Sequence, residues 1–177
     1  MSSTLAEVAG ESPIAQVGRR RLALLWAAVA AAVVLHNAEE WLLDMTVDRR
    51  HSWLLGRALH GDRAEFALVL AIVTATVLAI AVIAVAARPR WSAEVLACIA
   101  YVLMVNGISH VLLSLLSWSP MPGVISGAAV LLPLGVLVVR LLPPVRWTFP
   151  AVAMTVISAV GVTAGAFALA ALLTRLG

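Results

Sequence analysis

The chain has no lysine, one cysteine, one tyrosine and few charges, 12% in all. With Cys98 as its only thiol, it excludes a disulfide framework and a thiolate metal centre. The 12 basic residues are all arginine, which a coding bias toward arginine and alanine explains as readily as any function. They are scattered through the expected loops, so the pI of about 10.4 reflects membrane-orienting charge and not a nucleic-acid surface. No Ser-His-Asp arrangement, P-loop or dinucleotide fingerprint is present. What fills the space is apolar: hydrophobic residues make up 63% of the chain and mean hydropathy is +1.04. A soluble domain is nearer half apolar and a quarter charged, so these 177 residues read as one integral membrane domain.

A bilayer crossing needs roughly 20 apolar residues. Five stretches qualify, near 22–44, 63–87, 92–117, 123–142 and 148–172. The expected fold is therefore all-α: a polytopic bundle of five transmembrane helices over 22–177, preceded by a loose tail over 1–21. Arg19-Arg20-Arg21 before an apolar run resembles the start of a signal peptide, but no cleavage site follows. Pro89, Pro120, Pro122-Gly123 and Pro143-Pro144 fall between the runs, where helices end. Pro133 should kink the fourth span. The tryptophans are expected at the two interfaces: Trp26, Trp91 and Trp147 on one side, Trp41, Trp53 and Trp118 on the other. Residues 45–62 suit a short helix lying in the interface. Arginines outnumber on the N-terminal side, which places the N-terminus in the cytoplasm of a multi-pass cell-membrane protein.

Inside the first span stands His36-Asn37-Ala38-Glu39-Glu40. A charge there costs about 3 kcal/mol on insertion scales, so such groups are rarely kept for packing alone. At 100° per residue, His36, Glu39 and Glu40 project within an arc of about 100°, and Asn37 turns away by about 100°. In the third span Asn106, His110, Ser114 and Ser117 form one polar stripe, and Gly107 allows a second helix to approach closely. Spans one and three run the same way. Both polar sets lie about 21–27 Å from the N-terminal side at about 1.5 Å per residue, so one shared site is expected. Pro122-Gly123-Val124-Ile125-Ser126 and Glu65 fall in the same half.

His36-x-x-Glu39-Glu40, Asn106-x-x-x-His110 and Pro122-Gly123-x-x-Ser126 resemble, in order, the three motifs of the HXXEE family of bacterial integral-membrane proteins. Ser126 stands where that family more often has threonine, which keeps the hydroxyl. The resemblance implies a site shared by spans one to four in a membrane enzyme, with no reaction attached.

Three chemistries fit these residues. His36, Glu39, Glu40 and His110 offer a two-histidine carboxylate set for a divalent metal (zinc, iron, manganese or magnesium), with Asn106 and Ser126 in support. Without a metal, Glu39 and Glu40 would serve as acid and base, with His110 orienting one of them, as in an isomerase or terpene-cyclase-like enzyme. A proton or metal-ion transporter is the third reading, against which stands the absence of an internal repeat. We expect an enzyme, a cyclase or hydrolase, acting on a lipid-like or isoprenoid molecule. Glu65, close to Arg63, reads more readily as a solvated end charge. His51 and His60 read as surface residues. Gly161 and Gly165 form a small-residue face that suits internal packing or a homo-oligomer.

Overall fold

A computed structural model of the protein describes residues 18–43, 63–89, 91–143 and 149–176. These form five helices: α1 Arg19–Leu42, α2 Arg63–Ala86, α3 Ser92–Leu116, α4 Val124–Leu141 and α5 Phe149–Leu176. Each is long and apolar enough to cross a membrane, and no strand occurs among the described residues. The five helices fall on the five expected spans. Helix α1 begins at Arg19, so the arginines expected in the loose tail form its first turn. The rest of that tail up to residue 17, the interfacial helix expected over 45–62, and Trp147 lie outside the described residues.

Helix α1 packs against α2, and α2 against α5, while α3 packs along α4 and touches α1. Most of the dry core occupies the half of the bundle nearest the start of α1. Trp26 and Val29 of α1, Leu96 and Ala100 of α3, and Leu131 and Val138 of α4 are fully buried there. Trp26 lies at the expected end, beside Ser92 at the start of α3, but is buried. Its indole N–H donates to the Ser92 hydroxyl at 3.0 Å, so the ring is an internal pin between α1 and α3. A buried indole needs such a partner for its one polar atom. Trp41 and Trp118 lie at the opposite end and are exposed.

Small residues set the helix spacing, as they must where lipid is as apolar as the packing surface. A Cβ at Gly107 of α3 would lie 2.7 Å from the Gly127 carbonyl oxygen of α4, and one at Gly127 would lie 3.3 Å from the Gly107 Cα. The two backbones are in contact. Just before Pro133, where the sequence predicts a kink, the helix takes a π turn over Gly127–Leu131. Proline has no N–H and its ring crowds the carbonyl one turn back, and a wider turn just before it relieves both. Asn37, turned away from the other polar residues as expected, donates to Thr74 Oγ1 at 2.7 Å and ties α1 to α2.

Gly107→Ala should force α3 and α4 apart and lower stability by about 1–3 kcal/mol, as overpacking does. Thermal unfolding in detergent checks this against Gly161→Ala, whose new methyl meets nothing within 4 Å and should leave the midpoint unchanged or slightly raised. Equal midpoints for the two variants would contradict the close approach.

Candidate metal centre

His36 and Glu40 are one helical turn apart on α1, so their side chains rise on one stripe. Their ring and carboxylate meet His110 from α3. Glu40 Oε1 lies 3.0 Å from His110 Nε2 and 3.4 Å from His36 Nε2. The imidazole centroids are 4.9 Å apart, with the rings at 84°. All three residues are buried, at 2%, 8% and 4% exposure for His36, Glu40 and His110. Each offers one ligand atom, and those atoms lie within 4.8 Å of one another. Around a tetrahedral zinc with bonds of about 2.0–2.1 Å, ligand atoms stand about 3.3–3.4 Å apart. The two spacings to Glu40 Oε1, 3.0 and 3.4 Å, are close to that.

The two adjacent glutamates do different things. Glu39 turns to α4, where its Oε1 accepts the Ile125 N–H at 3.1 Å and its Oε2 accepts the Ser126 N–H at 2.7 Å. The first N–H groups of a helix have no partner within it, and a carboxylate there is favoured by the helix dipole as well. Glu39 thus lies outside the converging ligand group. Ser126 is buried, with its Oγ 2.8 Å from His36 Nδ1, and Asn106 Nδ2 lies 2.9 Å from His36 Nε2. Both supporting residues therefore touch the same imidazole. Glu65, half-buried in the first turn of α2, is not part of the group.

The loop from α3 to α4 closes the site. Trp118 takes a left-handed backbone, φ 50°, and the chain doubles back. Ser114 Oγ donates to the His110 carbonyl at 2.7 Å and accepts the Met121 N–H at 2.8 Å, which clasps the loop to α3. Gly123, at φ 88°, then presses its α-carbon against both rings. A Cβ there would lie 2.8 Å from His110 Cε1 and 2.9 Å from His36 Cε1. From sequence Pro122-Gly123 reads only as a turn; a glycine directly before a helix start is the one available signal for this contact. One polar atom is left over: His110 Nδ1 is buried and has no hydrogen-bond partner among the described residues.

These features define a multi-pass helical membrane protein with a histidine–glutamate–histidine cluster buried at one end of the bundle. The chain belongs to the family described as "Protein of unknown function with HXXEE motif", which matches residues 26–138. That span takes in all three motifs. No curated protein and no solved structure matches the chain.

Gly123→Ala should strain the backbone by about 1–3 kcal/mol and push both imidazoles from their places. We expect helicity by circular dichroism to be kept while the nitrogen resonances of His36 and His110 move together. Unmoved resonances would contradict the packing of Gly123 on the rings.

Proposed function

We propose that the protein is a membrane-embedded enzyme whose His36, Glu40 and His110 bind a divalent metal and whose substrate is a lipid-like or isoprenoid molecule. The observation that carries this reading is the convergence of the three buried ligand atoms from α1 and α3. Two imidazoles and one carboxylate suit zinc, iron or manganese better than magnesium, which prefers oxygen donors. A bound cation would offset the buried carboxylate charge. It would supply a Lewis acid and an acidified water at the fourth position, the means of hydrolysis or of polarising a substrate oxygen. Asn106 adjoins the ligand atom of His36 and would orient that ring or the group that approaches it.

An apolar substrate fits the surroundings. A groove of about 450 Å³ runs between α1 and α4, lined by Ala28, Ala32, Leu35, Ala129, Pro133 and Leu137 among others. Ala32 lies one turn below His36 on α1, and Ala129 follows Ser126 on α4. A hydrocarbon chain in this groove would bring its polar end toward the buried cluster. Substrate enters from the bilayer, and the N-terminus is cytoplasmic, so the centre lies in the outer half of the membrane.

A second reading has its own observation. The 3.0 Å contact between His110 and Glu40, with the other ring nitrogen unpartnered, is the geometry of a metal-free acid–base pair. Here Glu40 and His110 would act together, and Glu39, occupied by α4, would take no part. Elemental analysis of protein purified in mild detergent without chelator separates the two. Near one equivalent of zinc, iron or manganese per chain is expected, lost in His110→Ala and Glu40→Gln and kept in Glu65→Gln. No metal in any sample, even after reloading, would overturn the metal reading and leave the acid–base pair.

A further inference from the structure

We infer that Glu39 and Ser126 are positioning residues that hold His36 as its Nδ1–H tautomer and so keep its Nε2, beside Glu40 and Asn106, an unprotonated acceptor. The consequence for metal affinity rests on the metal-centre reading above; the tautomer itself rests on hydrogen bonds alone.

A carboxylate only accepts hydrogen bonds. Glu39 accepts two backbone N–H groups of α4, one of them that of Ser126, and so fixes where Ser126 stands. The Ser126 hydroxyl donates to the Gly123 carbonyl at 3.4 Å, within its own turn. With its proton committed, Ser126 Oγ faces His36 Nδ1 at 2.8 Å as an acceptor, and the ring must donate from Nδ1. Asn106 agrees from the other side. Its amide Nδ2, a donor, lies 2.9 Å from His36 Nε2, which must then carry a lone pair. Two neighbours on two different helices thus specify one tautomer.

That tautomer is the ligand form. A metal-binding histidine normally gives its other ring N–H to an oxygen acceptor, and loss of that acceptor costs about 10–100-fold in affinity. In this chain the acceptor is the hydroxyl of Ser126, a residue whose backbone N–H is held by Glu39 at the amino end of α4. His110 has no counterpart, because its Nδ1 meets no acceptor among the described residues. His36 is thus the preset ligand of the two.

The test uses the full chain in detergent, labelled with 15N-histidine, freed of metal and held near pH 8, where imidazole is neutral. The His36 resonances are assigned by their loss in His36→Gln. Long-range proton–nitrogen correlation should give a protonated Nδ1 and a bare Nε2. In Ser126→Ala the Nδ1–H loses its acceptor and zinc affinity should fall 10–100-fold, with Ser126→Thr restoring it, while Asn106 still holds the tautomer. In Ser126→Ala/Asn106→Ala the proton should shift toward Nε2, which has Glu40 Oε1 within reach. A protonated Nε2 in the unaltered protein, or an unchanged tautomer in the double variant, would overturn the inference. The Nδ1–H tautomer without zinc binding in the unaltered protein would support the positioning pair and sink the metal reading instead.

Discussion

The carboxylate of Glu39 on the amino end of α4 is the contact on which the rest of the site hangs. Two difficulties of an apolar span meet there. A carboxylate in an apolar span is costly, and so are backbone N–H groups at a helix start left without partners. Pairing them relieves both. It also fixes the position of α4 along α1, because the two N–H groups belong to Ile125 and Ser126 and to no other turn. Ser126 is thereby set opposite His36, and Gly123 is set against both imidazoles. The backbone contact of Gly107 with Gly127 then brings α3 to a depth at which His110 meets Glu40.

The bundle divides its length between two tasks. Toward the start of α1 it is closely packed and dry, with Trp26, Val29, Leu96 and Val138 fully buried. Toward the other end, side chains of α1, α3 and α4 meet through hydrogen bonds. Such bonds average well under 1–2 kcal/mol in membranes, so this end gains little stability from its polarity. The rigid half holds the helices in register. The polar half is thereby free to keep an arrangement that stability alone would not select.

Much of this was legible in the sequence, for physical reasons. Helical rise and turn are constant, so equal distances along two spans of the same direction put His36–Glu40 and Asn106–His110 at one depth. The small size of Gly107 announced a close helix, which proved to be α4. What stayed hidden concerns neighbours. An arc of about 100° holds Glu39 and Glu40 alike, and only the placement of α4 separates them. Trp26 followed the interfacial habit of its residue type, yet Ser92 opposite it makes burial cheaper. The contact of Gly123 with two rings depends on a positive φ and on three helices at once, and a lone sequence records neither.

Polar packing alone does not account for the arrangement. Side chains that merely hold helices together would pair donors with acceptors, and asparagine or serine would do so at lower desolvation cost. Around Glu40 the pairing is incomplete. If Ser126 and Asn106 fix the lone pair of His36 Nε2, that nitrogen and Glu40 Oε1 are two acceptors facing each other at 3.4 Å. One proton from His110 cannot lie between both contacts of the same oxygen, and His110 Nδ1 remains without a partner. Unmet polar demand of this kind, buried in an apolar span, is relieved by a group that accepts electron pairs from several sides. Under the proposed function a metal ion would do this directly, and in the metal-free alternative a proton exchanged with substrate would do it during the reaction.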